Sequence, residues 1–219
     1  MKVVSVNVGK PRTIAWQGRK VRTGIFKVPV EGKVEVGALH LEGDGQADLR
    51  VHGGVDKAVY AYPMEHYPTW SAELGRALPY GQFGENLTLS GLTEDEARIG
   101  DRYRIGSALL EISQPRVPCF KLGIRMEDDT FPQRFLESLR SGFYLRVAVA
   151  GTLEADDEVE LEFRDAGSLT VSAIQRLTFD GADADAGTLD QAARLESLPE
   201  GWRRRFRQRL AEISGKARW

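Results

Sequence analysis

Glycine and proline cut the first 165 or so residues of this chain into short runs that alternate apolar and polar side chains, so long helices have no room there. Lys2 to Val8 alternates as a half-buried strand does. Val21 to Val28 and Gly32 to Val36 read as short strands bounded by glycine and proline. Further strands are expected at Ala58–Tyr62, Asn86–Leu89, Arg102–Ile105, Ala108–Ser113, Tyr144–Ala150 and Glu158–Phe163. Glycine marks two hairpins, at Ile105-Gly106-Ser107-Ala108 and near Val30-Glu31-Gly32-Lys33. Many short strands at this spacing predict a barrel or sandwich rather than a doubly wound sheet.

Two helices interrupt the strands. Pro63 to Leu78 has proline at a helix start and Leu74 and Leu78 four apart. Thr130 to Arg140 has a Thr cap, Pro132 in the first turn, and Phe131, Phe135, Leu136 and Leu139 along one side. The last 50 or so residues change character. Leu169–Thr178, Thr188–Ser197 and Pro199–Ile213 read as three short helices, separated by the Asp/Ala/Gly-rich 180–187 stretch and by Leu198-Pro199. The expected organisation is a mainly β domain over residues 1–165 and a three-helix appendage over 166–219, an α+β chain overall.

The balance of 30 basic and 32 acidic residues gives a net charge of −2, which supplies no global attraction to nucleic acid or to an anionic membrane. Arginines crowd the third tail helix, but Glu200 and Glu212 flank them, and a solvated helix face accounts for the pattern. No apolar run is long enough to span a bilayer. The opening Met1-Lys2-Val3-Val4-Ser5-Val6 alternates like a strand and lacks a signal peptide's apolar core. One cysteine and no export signal lead to the expectation of a reducing cytoplasm.

That cysteine is Cys119, in Gln114-Pro115-Arg116-Val117-Pro118-Cys119-Phe120-Lys121-Leu122. It cannot form an internal disulfide or a multi-cysteine zinc cage, so its own reactivity is the question. Arg116 and Lys121 favour the thiolate, the form that attacks electrophiles or binds soft metals. The prolines predict a rigid loop leaving a strand rather than a helix. The competing reading is a small buried hydrophobe.

Two further segments carry chemistry. Residues 42–59 bring glycines, acids, Arg50, His52 and Lys57 together ahead of a strand, and glycine lets a backbone approach a ligand closely. The alternative there is a surface turn with internal acid–base pairs. The segment lacks the Gly-Lys-Ser/Thr ending of a phosphate-binding loop, and no helix start follows it as a dinucleotide fingerprint requires. In Gly81-Gln82-Phe83-Gly84-Glu85-Asn86-Leu87, polar groups sit where a loop enters a sheet. Asn86 there either bonds the edge of a ligand's ring or locks the loop through its backbone.

Taken together, His52-Gly53-Gly54 with Asp56-Lys57-Ala58-Val59, then Phe83-Gly84-Glu85-Asn86-Leu87, then Pro118-Cys119-Phe120-Lys121-Leu122 resemble the MOSC domain, named for the C-terminal part of molybdenum-cofactor sulfurase. Gly142-Phe143-Tyr144-Leu145-Arg146-Val147 resembles the family's later strand, and the tail around Trp202, Arg203 and Phe206 resembles the three-helix appendage of its YiiM-type branch. The resemblance implies a MOSC-type β-barrel that binds the molybdenum cofactor, a molybdenum centre held by the dithiolene of molybdopterin. It implies that Cys119 supplies a thiolate to the metal. By motif position, Arg50, His52, Lys57, Arg116, Lys121 and Arg146 would surround the cofactor, with Asn86 on the pterin side.

The activity so implied is reduction of N-hydroxylated compounds, such as N-hydroxylated purine or pyrimidine bases, to the amines. The cofactor would carry the redox step. His52 is a candidate proton donor because its unperturbed pKa lies near neutrality, with Asp56 and Glu85 as rivals. A lone cysteine builds no iron–sulfur cluster and no flavin fingerprint is visible, so electrons would come from a separate flavin- or iron–sulfur-containing protein. The appended helices are a candidate docking surface for it, or a homodimer contact. Two alternatives stay open: a non-catalytic carrier of the cofactor or its sulfur, and a metal-independent thiol enzyme with Cys119 as nucleophile and His52 as base.

Overall fold

Strand and helix boundaries follow the glycine and proline punctuation closely. The computed structural model describes residues 1–47, 53–179 and 185–216. Among them the first strands are β1 (Lys2–Val8), β2 (Arg12–Trp16), β3 (Arg19–Thr23), β4 (Val28–Val30), β5 (Val34–Val36) and β6 (Val59–Pro63). They are followed by β7 (Leu87–Ser90), β8 (Arg102–Ile105), β9 (Ala108–Pro115), β10 (Phe143–Val149), β11 (Gly151–Leu153) and β12 (Val159–Phe163). The helices are α1 (Tyr67–Leu74), α2 (Phe120–Met126), α3 (Phe131–Glu137), α4 (Val171–Phe179), α5 (Ala186–Arg194) and α6 (Glu200–Lys216).

Eight strands hydrogen-bond into one mixed sheet in the order β12-β8-β9-β10-β6-β7-β1-β4, while β5 pairs β11 and β2 pairs β3 separately. Within the large sheet, β6 and β7 run parallel and the other neighbours antiparallel. The barrel expected from the strand spacing and the family resemblance is corrected: the sheet curls but does not close. The reason lies in the outer edge of β1. Its start meets the far end of the sheet through one bridge pair, Lys2 and Glu158, and backbone hydrogen bonds between residues 1–3 and 156–159, without forming a ladder. Its end is taken instead by β4, through Val6–Val30 and Val8–Val28. One short strand cannot extend a ladder along β12 and accept β4 on the same edge.

The β8–β9 hairpin forms at the expected glycine, with Ile105 opposite Ala108. The one expected near Gly32 does not, because β4 pairs β1 and β5 pairs β11. A different hairpin, β2–β3, turns at Gln17-Gly18, where both residues take positive φ (48° and 74°) as a primed two-residue turn demands. The helix expected from Pro63 is a single 3₁₀ turn followed by α1, which stops at Gly75 in the left-handed region. The Cys119 loop does not simply leave a strand. Cys119 itself is the extended residue that opens α2.

Two apolar clusters hold these elements. Alternation along β6 sends Val59 and Ala61 into one and Tyr60 and Tyr62 into the other, so all five β6 residues are buried. The first cluster runs without a break from Val3, Leu87, Ile112 and Leu145 of the sheet to Ile174, Leu189 and Phe206 of the tail. The second is largely aromatic: Tyr62, Trp70, Phe83, Phe131 and Phe135 join α1, the 81–86 loop and α3 to the sheet.

At Gly142, which precedes β10, φ is +70° and a Cβ would lie 2.4 Å from the Ala61 carbonyl oxygen. Gly32 has a similar φ of +77° and open space around it. Gly142→Ala should therefore cost about 3 kcal/mol and Gly32→Ala only about 1 kcal/mol, read from urea unfolding midpoints. Equal losses would show that the β10 entry does not need this close approach.

Candidate functional site

The 81–86 loop is built around a buried carboxylate. Glu85 is fully buried, and its oxygens accept from the Gly81 amide at 2.8 Å, the Phe83 amide at 3.0 Å, the Thr88 hydroxyl at 3.1 Å and the Tyr67 hydroxyl. Burial pushes its pKa up, against these hydrogen bonds. The carboxylate folds the loop and faces no cavity. Asn86 is likewise committed: its Oδ1 accepts from the Tyr60 amide at 3.1 Å, and its Nδ2 donates to Asp44 Oδ2 at 2.8 Å and the Asn7 carbonyl at 3.3 Å. It lines the site, but as the lock of the loop.

Asp44 also pairs with the buried Lys27 ammonium and accepts from the Gly9 amide at 3.0 Å. Burial lowers the Lys27 pKa, and the Asp44 carboxylate opposes that shift. This acid–base pair anchors the front of the glycine-rich segment from outside it, since Lys27 precedes residues 42–59.

Arg116 continues from the end of β9. Its amide donates to the Gly142 carbonyl at 3.1 Å, and its own carbonyl accepts from the Ser141 hydroxyl at 2.7 Å. Its guanidinium lies over the Tyr60 ring at 4.7 Å and near the Phe135 ring at 5.4 Å. The side chain is buried, and Nη1 has no hydrogen-bond partner among the described residues. Gly142 is held in turn by Glu94 Oε1 at 2.7 Å, whose other oxygen meets His66 Nε2 at 2.7 Å.

Two cavities meet at Cys119. The first, about 110 Å³, is ringed by Lys27, Asp44, Lys57, Asn86, Arg116 and Lys121, with the glycine backbones of Gly24, Gly45 and Gly84 between them. The second, about 770 Å³, opens between the 53–57 turn, the Cys119 loop and the helical tail. Lys57, Cys119 and Tyr144 line both. Burial lowers the Lys57 pKa, while Asp56 and the Cys119 sulfur pull it back up. The half-buried Cys119 thus has Lys57 and Arg116 within electrostatic reach, and a negative sulfur there is attracted to both. Burial raises the Tyr144 hydroxyl's pKa, and Arg116 opposes this.

Of the residues singled out in the sequence, the structure therefore brings Lys57, Asn86, Arg116, Cys119 and Lys121 to one cavity. Arg146 is not among its lining. It pairs with Asp56 and with Glu111 Oε1 at 2.8 Å, and so holds the turn that carries Lys57. Arg50 and His52 lie outside the described residues.

Residues 48–160 match the MOSC domain model, and residues 169–212 match the YiiM-like, 3-alpha helix domain model. The chain belongs to the MOSC domain family. It is 41% identical to the protein YflK of Bacillus subtilis over 207 residues, covering 93% of this chain and 92% of YflK. The crystal structure of YiiM from Geobacillus stearothermophilus superposes with a TM-score of 0.80 at 39% identity, covering 95% of this chain and 98% of that one. A protein of Gibberella moniliformis named reductase is 34% identical over 164 residues, covering 73% of this chain and 29% of its own length.

Sequence reasoning passed over Lys27, Asp44, Tyr144, Phe179 and Trp202 as lining residues. Only Tyr144 had a local signal: alternation along β10 puts it on the same face as Arg146. The others arrive through pairing and packing.

Lys57 titrates below the ordinary lysine value of 10.5. Rising pH therefore removes its charge early, and a bound anion loses that partner. Affinity for sulfate, which does not itself titrate in this range, should fall as pH rises through a window below 10.5, and Lys57→Arg should make that fall shallower. Titration calorimetry across pH checks this; an unchanged slope in Lys57→Arg removes Lys57 from the anion site.

Proposed function

We propose that this MOSC protein is an oxidoreductase that uses the molybdenum cofactor to reduce N-hydroxylated compounds to amines. The supporting observation is the buried Arg116 guanidinium, whose Nη1 has no hydrogen-bond partner among the described residues, beside a thiol and three lysines on one cavity. A buried cation with an unmet donor suits an anionic ligand, and the pterin phosphate is such a group. The donor set fits as well. Among the described residues no group of three or more His, Cys, Asp or Glu gathers to hold a metal. A ligand that brings its own dithiolene needs only one protein sulfur, and Cys119 offers it.

When bound, the cofactor supplies the two-electron chemistry, with overall balance R–NHOH + 2e⁻ + 2H⁺ → R–NH₂ + H₂O. Lys57, Lys121 and Arg116 would hold its anionic part, and Asn86 keeps the 81–86 loop in place. Glu85 is sealed in its loop and Asp56 is paired to Arg146, so neither suits proton delivery. His52 is left for that role, because an unperturbed imidazole titrates near neutrality. Tyr144, on both cavities beside Cys119, stays protonated and can donate a hydrogen bond to the substrate. A relative named reductase lends the redox class support. The electrons come from a separate flavin- or iron–sulfur-containing protein, since one cysteine cannot ligate a cluster.

The test is molybdenum content by elemental analysis, on wild type and Cys119→Ala produced in cells that make the cofactor. Near-stoichiometric metal in wild type, its loss or an altered metal spectrum in the variant, and reduction of an N-hydroxylated purine by the dye-reduced wild type are expected. Activity of Cys119→Ala should fall at least about a hundredfold. Wild type that stays metal-free after reconstitution with purified cofactor would sink the proposal. Metal without reduction would make the protein a carrier.

A further inference from the structure

The larger cavity is walled by two parts of the chain. Val55, Val117 and Pro118 come from the turns around Cys119, and Phe179, Pro199 and Trp202 come from the helical tail. Its volume of about 770 Å³ suits a small organic molecule. Val55 and Val117 are 57% and 44% exposed although apolar, so this wall has no protein cover. Across from it, Trp202 is held in place. Its Nε1 donates to Gln114 Oε1 at 3.2 Å, and its ring packs on Phe206 with centroids 6.2 Å apart. Gln114 is buried in β9, on the strand that leads into the Cys119 loop.

The indole donor is thus spent on the protein, and what Trp202 can offer a ligand is ring surface. A flat π-system is the chemistry that uses such a surface. The cavity also shares Lys57, Cys119 and Tyr144 with the smaller, cation-rich one, so a molecule lying here ends at the thiol.

We infer that the helical tail builds the substrate cleft, seating a planar heteroaromatic N-hydroxylated base against Trp202 with its N-hydroxy group toward Cys119. The smaller cavity is left to the anionic part of the cofactor. This rests on the reductase reading and deepens it: ring selectivity comes from the tail, and a small aliphatic hydroxylamine does not draw on it.

The test compares N6-hydroxyadenine with N-methylhydroxylamine on the molybdenum-loaded protein. In Trp202→Ala the ratio of kcat/KM for the purine to that for the small substrate should fall about tenfold, mostly through KM, and Trp202→Phe should restore most of it. Val117→Trp, a change at an exposed position that fills the cleft, should lower the same ratio without depending on the tail's packing. A separate readout needs no turnover: adenine, followed by calorimetry, should bind wild type and weaken about tenfold in Trp202→Ala, with or without the cofactor. Equal losses for both substrates at unchanged molybdenum content, or unchanged adenine affinity in both variants, would overturn the inference and leave the reductase reading standing. Wild type that takes up no cofactor on reconstitution but binds adenine through Trp202 would overturn the reductase reading and keep the cleft.

Discussion

A cation buried against aromatic rings is the constraint around which this molecule is arranged. Arg116 is 5% exposed, and its guanidinium leans on Tyr60 and Phe135 with no salt bridge to a carboxylate among the described residues. Desolvating a guanidinium costs several kcal/mol, which ring contacts of about 1–2 kcal/mol each do not fully offset. The surrounding fold carries that cost. The aromatic cluster of Tyr62, Trp70, Phe83, Phe131 and Phe135 buries a large apolar surface on the same side of the sheet. In the proposed function, an anion in the adjoining cavity would relieve that penalty and turn the cost of burying the cation into affinity.

The same residue couples the tail to the site. The Arg116 carbonyl accepts from Ser141, whose hydroxyl accepts from Gln175 Nε2 of α4 at 2.7 Å. Farther along, Trp202 of α6 bonds Gln114 of β9. Two tail helices are thus fastened by hydrogen bonds to the segment that leads to Cys119, α6 directly at Gln114 and α4 through Ser141 to Arg116. Because the tail also shares one apolar cluster with the sheet, it is fixed relative to Cys119 rather than tethered beside it. The proposed cleft, which would set a ligand's ring at a fixed distance from the Cys119 sulfur, needs that rigidity.

What was legible in the sequence was local. The β8–β9 hairpin follows from one glycine between two alternating runs, and the three tail helices follow from apolar periodicity with breakers between them. Cys119, Arg116, Lys57 and Lys121 stood out because their types and spacing have few other uses. Pairing of distant segments was not legible. Nothing in Val28–Val30 says that it will take the outer edge of β1 and so stop the sheet from closing into a barrel. Arg146 alternates correctly to face inward, yet two carboxylates, Asp56 and Glu111, intercept it before the cavity. Asn86 had two readings from sequence, and only the positions of Tyr60, Asn7 and Asp44 decide for the lock.

That division explains why the motif residues serve unequal roles. Glu85 and Asn86 form one conspicuous motif, and both spend their polar atoms on backbone and side-chain groups of their own neighbourhood. Their function is indirect: by closing the 81–86 loop onto β6 and β1 they fix Tyr60, and Tyr60 supports Arg116. Removing Asn86 would therefore act on the site through the lie of Arg116 rather than through a lost ligand contact. A short polar side chain that satisfies three backbone and side-chain partners at once has no isosteric apolar replacement. In the proposed function the chemistry falls instead to the groups that line the cavities: one sulfur, the cations around it, and a tyrosine between the two.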